Sequence, residues 1–216
     1  MPKPHDPFKN LEEAIDILRK YGNEFNFPKR NYDKQLIIKK SVSGNIFRAF
    51  KNLDTKPSNI YRDWASDNFE ALLHDFKRTQ SYDDHYKLLL KYSESLLQRW
   101  SVQVLQEDKF LIYGQAMKMI NLLIKQIQES NEFKQIDKIK FQQIPLDSYA
   151  LVPIRLIIND LTDKNFKINI PPNVSMGFVN TPQLYMILSN AILKLSNLSK
   201  ITPIVYDYWS WDEKHK

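Results

Sequence analysis

The 216-residue sequence contains no cysteine. That absence excludes disulfides, a thiolate nucleophile, iron–sulfur clusters and every zinc site that needs sulfur ligands. Histidine is scarce as well: His5, His74, His85 and His215 never fall in a metal-ligand spacing such as HExxH. A catalytic metal held by imidazoles is therefore not expected. The four glycines, at 22, 44, 114 and 177, are too few for the glycine-dependent turns that β-hairpins prefer. No apolar run approaches the roughly 20 residues of a membrane span. The opening MPKPHDPFKN lacks the apolar stretch of a signal peptide, so the expectation is a cytoplasmic protein without a membrane partner.

What the chain does have is apolar side chains. Hydrophobic residues make up 43% of it, with 12 Phe, 11 Tyr and 4 Trp, which is more than a disordered chain carries. Its length predicts one large lobe or two small ones. No internal repeat or break in composition separates independent domains, so one folded unit is expected. Thirty-one Lys and Arg against 25 Asp and Glu give a net charge of +6, suited to a polyanionic partner.

Helical spacing dominates the pattern, and an all-α fold is predicted. Asn10 precedes LEEAIDILRKYG, in which Leu11, Ala14, Ile15 and Leu18 share one face and Gly22 is read as the stop. Residues 33–52 and 66–78 repeat the pattern, with a break expected near Gly44. Ser81 is placed to cap a long helix opening on Asp83 and Asp84. After an LIYG linker comes the helix QAMKMINLLIKQIQES, then a polar loop over 129–142. Residues 163–180, with Pro171, Pro172 and Gly177, read as irregular. Thr181-Pro182 and Thr202-Pro203 each look like a cap followed by proline in the first helical position. His74 and His85 read as surface imidazoles.

Two short segments carry candidate chemistry. In Gly114-Gln115-Ala116-Met117-Lys118 a glycine turn feeds a helix, exposing backbone N–H groups and setting a lysine in the first turn. The positive end of the helix dipole there disfavours an ammonium and so favours a nucleophilic amine. Twenty-nine positions later, Asp147 follows Ile144-Pro145-Leu146, poised behind a rigid proline to cap the next helix, where N–H donors favour a carboxylate in its charged form.

GQAMK and IPLD, in this order, resemble the helix–hairpin–helix DNA glycosylase superfamily, in which a hairpin Gly-x-Gly-x-Lys presents the nucleophile and a downstream Val/Ile-Pro-x-Asp supplies an aspartate. Ala116 stands where the family's second hairpin glycine is expected, and the long interval to Asp147 is most similar to the archaeal oxoguanine glycosylase branch. In that branch an Asp and a Trp four residues apart near the C-terminus help form the base pocket, and Asp207 and Trp211 have that spacing here. The resemblance spans residues 110–212. It implies a two-lobed helical fold with a cleft between the lobes, hairpin and catalytic region at about 105–160, in a monomer acting on duplex DNA at the nucleoid. It implies Lys118 as nucleophile and Asp147 as its carboxylate. It further implies a base pocket of Asp207 and Trp211, with Trp64 and Asn121 as additional candidates. Gly114, Gln115, Lys109 and Lys125 would contact the DNA backbone, with Lys134, Lys138 and Lys140 adding non-specific attraction.

The implied activity is base excision with abasic-site cleavage through a lysine Schiff base. Oxidised purines such as 8-oxoguanine are the favoured substrates and need no cofactor. Two alternatives stay open. One keeps the fold but directs it at hypermodified bases as an anti-phage defence. The other is a non-catalytic helical DNA- or protein-binding module, in which Lys118 is a solvated helix residue, Asp147 an ordinary cap, and the tryptophans structural.

Overall fold

In a computed structural model, described here for residues 6–50, 53, 55–104 and 110–215, the chain is helical throughout its regular structure. No strand forms among these residues. The one β-type pairing is an isolated parallel bridge between Arg30 and Ser130. The chain divides into a terminal unit, built from the segment up to Phe27 and the segment from Gln142 on, and a central unit, Pro28–Phe141.

The terminal unit holds α1 (Leu11–Glu24), α6 (Ser148–Leu151), α7 (Ile158–Leu161), α8 (Pro182–Leu198) and α9 (Pro203–Lys214). Asn10 caps α1 as expected, its side-chain oxygen accepting from the Glu13 amide at 2.9 Å. The helix runs two residues past Gly22, because glycine serves packing there: an added Cβ would lie 2.3 Å from Cγ2 of Ile201. Chain entry is locked by Phe8, whose ring stacks on Trp209 of α9 at 4.6 Å and 11°, and by a two-point ion pair between Asp6 and Arg155. Tyr21 donates to Asp212 at 2.6 Å, joining α1 to α9. Thr181 caps α8 by accepting from the Leu184 amide. Thr202 precedes Pro203 as expected but makes no such bond. The expected irregular stretch 163–180 contains only a short 3-10 turn, Met176–Phe178.

The central unit holds α2 (Lys34–Ser41), α3 (Pro57–Arg78), α4 (Tyr82–Gln103) and α5 (Tyr113–Glu129). The expected break at Gly44 is where a 3-10 helix, Gly44–Phe50, replaces the α-helix. α3 begins at Pro57, nine residues ahead of the sequence expectation. Proline suits a first helical turn, and Ile60, Tyr61, Trp64 and Ala65 bury a face there. α5 packs against α2 and α4. Its Met117, Ile120, Leu123, Ile124 and Ile127 are wholly buried, each contributing about 1.5–3 kcal/mol of transfer free energy. Ser93 of α4 donates to the Met117 sulfur, and Tyr61, hydrogen-bonded with Ser41, also reaches the Met119 carbonyl. The segment entering this unit is tied to the end of α5 by the Arg30 amide on the Glu129 carbonyl, 2.8 Å, and by the Arg30–Glu129 ion pair. His85, expected at the surface, is fully buried against the edge of Phe76, and burial pushes its imidazole down to about 3. His74 is exposed as expected.

Candidate active site

The helix that carries Lys118 starts earlier than its sequence suggested. The LIYG residues Tyr113 and Gly114 form its first turn, and the carbonyl of Ile112 accepts from the amides of Gln115 and Ala116, both at 3.1 Å. Gln115 turns back to accept from the Ile112 amide at 3.0 Å, the return half of a capping box. Gly114 is thus a helical residue without positive φ, not a turn ahead of the helix. Lys118 is the sixth residue of α5, in its second turn, beyond the stretch where the dipole acts most strongly. Gly114 and Gln115 are both buried. The anion grip expected of them is corrected accordingly: Gln115 caps its own helix, and the backbone around Gly114 is packed, not presented.

Lys118, Asn121 and Lys125 follow one another on α5 at intervals of three and four, which aligns them along one helix face. Lys118 and Lys125 are half-buried. Asn121 is wholly buried, and its Nδ2 donates to the Met117 carbonyl at 3.0 Å. Trp64 is corrected to a core residue: it is 1% exposed, its Nε1 donates to Ser95 at 3.0 Å, and Tyr92 meets its ring edge-on. Neither of its faces is open to a base. Lys109 lies outside the described residues. Lys134 is exposed, in the turn that follows α5.

Asp147 does what its sequence position predicted. It is the N-cap of α6, and its Oδ1 accepts from the amides of Tyr149 at 2.9 Å and Ala150 at 3.3 Å. Pro145 and the buried Ile144 and Leu146 fix the approach to this cap, with Tyr185 donating to the Ile144 carbonyl. α6 rests on α9, where the wholly buried Tyr206 donates to the Ala150 carbonyl at 2.6 Å. The Tyr206 phenol is pushed well above its ordinary value, by burial first and then by the carboxylates of Asp207 and Asp147.

Trp211, one turn beyond Asp207, is 52% exposed. The imidazole of His215 stacks on its ring at 3.9 Å and 30°, while Nδ1 of His215 donates to the Trp211 carbonyl at 2.6 Å. The same imidazole stacks on Tyr149 at 5.7 Å and 26°. Asp147, Asp207 and Trp211 are therefore gathered in the terminal unit, whereas Lys118, Asn121, Lys125 and Trp64 belong to the central unit. Sequence reasoning missed Tyr149, Tyr206 and His215. Their signals were local: two residues after Asp147, directly before Asp207, and one helical turn after Trp211.

Among the described residues no cluster of three or more His, Asp or Glu side chains is arranged to hold a metal ion, and no helix is long and apolar enough to cross a membrane. Comparison with known protein families, curated proteins and solved structures finds no match to this chain.

Proposed function

We propose that this chain is a DNA glycosylase with abasic-site lyase activity, with Lys118 as nucleophile and Asp147 as the carboxylate that assists it. The observation that carries the reading is Asp147: the aspartate of IPLD caps a helix through two N–H groups, and that helix rests on α9, which carries Asp207 and Trp211. The order GQAMK before IPLD, an all-helical chain in two units, and a net charge of +6 support the same reading.

The chemistry requires an extruded nucleotide, since its C1′ is inaccessible within stacked duplex. The lone pair of neutral Lys118 Nζ attacks C1′, the N-glycosidic bond breaks, and the departing base takes up a proton. Loss of the Nζ proton and opening of the sugar ring, with O4′ protonated, leave an imine between Lys118 and C1′. Removal of a C2′ proton then expels the 3′ phosphate. Asp147 stabilises positive charge on the sugar as the base leaves and relays protons. Trp211 offers a ring face for the base, and Asp207 accepts from its edge.

Oxidised purine is the substrate class proposed. Incubating the chain with duplexes that each contain one oxidised, alkylated, deaminated or glucosylated base tests this directly. Release of the oxidised purine is expected, while release of only the glucosylated base would move the function to defence against modified phage DNA. No release from any duplex, with salt-sensitive binding retained, would contradict the enzyme reading.

A further inference from the structure

A cleft of about 510 Å³ opens in the terminal unit, apart from the proposed chemistry, where α7 and the irregular segment after it meet Arg155. Its polar lining comprises Arg155, Asn159, Lys164, Lys167 and Asn169, with Phe166 as the aromatic member, and no carboxylate lines it. A cleft formed by α2 and α3 is by contrast of mixed sign, with Asp33 and Asp63 beside Lys39 and Arg62. The walls of the basic cleft are braced. Arg155 is held by Asp6, Asn159 accepts from the Ile168 amide at 3.1 Å, and the Asn165 amide donates to Asp163. Phe166 is 48% exposed although it sits among these polar residues. Lys164, Lys167 and Asn169 are exposed as well.

Two exposed lysines, amide side chains and one half-exposed aromatic ring in a single cleft are the chemistry of single-stranded nucleic acid: phosphates on the lysines, a base on the ring. The volume lies within the range of small-molecule and cofactor sites, room for one base and its sugar. A duplex offers phosphates but keeps its base faces stacked, so it leaves Phe166 unused. We propose that this cleft binds a single-stranded segment of nucleic acid, with Lys164 and Lys167 on the phosphates and Phe166 stacked on one base. The site goes beyond the glycosylase reading and does not depend on it.

Fluorescence anisotropy of a labelled twelve-residue oligothymidylate against the full chain tests the proposal, with a twelve-base-pair duplex alongside. The double variant Lys164→Glu/Lys167→Glu should weaken oligothymidylate binding and reduce the slope of log affinity against log salt by about 1.4, two phosphate contacts' worth. Phe166→Ala should weaken it about 5- to 150-fold at unchanged salt slope. The control Lys39→Glu/Lys40→Glu makes the same change of net charge on the central unit and should weaken binding far less. Circular dichroism confirms that each variant is folded. A parent chain that does not bind the oligothymidylate at low salt overturns the proposal. So does equal damage from the control pair, or a loss confined to the duplex. Base release, measured separately at saturating DNA, reports on Lys118 and is untouched by failure of this site.

Discussion

Replacing Asp147 separates its structural role from its chemical one. As a cap, Asp147 satisfies the Tyr149 and Ala150 amides with one oxygen, Oδ1, at 2.9 and 3.3 Å. Asparagine retains a side-chain oxygen and is as good an N-cap, so Asp147→Asn should leave stability within about 0.5 kcal/mol of the parent. Asp147→Ala loses the cap and should cost about 1 kcal/mol. Charge behaves differently, since asparagine places a neutral amide where the carboxylate stood. If that carboxylate stabilises a cationic sugar, Asp147→Asn should slow base release by about 100- to 1000-fold, the usual effect of removing one preorganised electrostatic group. Single-turnover base release and urea denaturation of the parent and both variants give the two quantities. Both variants should be slow, but only Asp147→Ala should be less stable. A parent-like rate in Asp147→Asn, or a rate loss that appears only in the destabilised alanine variant, would refute the catalytic role and leave Asp147 as a cap.

Three further expectations concern the scaffold. His85 is held down to about 3 by burial, below the 6.5 of an exposed imidazole. Its neutral form is therefore favoured in the native state, and stability is lost as pH falls below 6.5; by pH 5 the loss is about 2 kcal/mol. The difference in unfolding free energy between pH 7 and pH 5, from urea denaturation, should shrink by that amount in His85→Leu, and an unaltered pH dependence in the variant would show that another group is responsible. At Gly22 an added methyl would meet Ile201 Cγ2 at 2.3 Å, and Ile201 is β-branched at the point of contact. Overpacking of about 1–3 kcal/mol should exceed the roughly 1 kcal/mol gain in helix propensity, so Gly22→Ala should lower the thermal midpoint; a rise would mean that α1 shifts freely. Lys200, just after α8, has a φ of 58°, a conformation costing a side chain about 1–2 kcal/mol. Lys200→Gly should therefore raise the midpoint by a few degrees, and a drop would show that the lysine side chain makes a compensating contact.

Elements whose local chemistry and tertiary environment agree were legible from sequence. Asn10, Ser81, Asp147 and Thr181 each cap the helix predicted for them, because a short polar side chain next to a helix start satisfies orphan amides wherever the helix packs. Glycine misled twice for opposite reasons. Gly22 was read as a stop although close approach to Ile201 requires it, and Gly114 was read as a turn although the Gln115 cap draws it into α5. The same two-residue extension moved Lys118 from the first helical turn to the second. Trp64 and His85 went astray because a single residue's type does not tell which face of a long helix will be covered; both lie on buried faces, of α3 and α4. At the candidate site, the Asp147 cap was legible from its place behind Pro145, whereas Asp207 and Trp211 were expected only through the resemblance. The Tyr206 hydrogen bond to Ala150 and the His215 stack on Tyr149 depend on α6 resting against α9, a contact between segments far apart in sequence.

Covalent trapping measures the proposed chemistry most directly. The chain is incubated with a duplex containing one abasic site and sodium borohydride, and the adduct is resolved by denaturing electrophoresis and located by peptide mass. A reduced imine linking the sugar to Lys118 is expected, and Lys118→Gln should abolish it while DNA binding persists. An adduct of undiminished yield in Lys118→Gln, or none from the folded parent at saturating DNA, would contradict the assignment of Lys118 as the nucleophile.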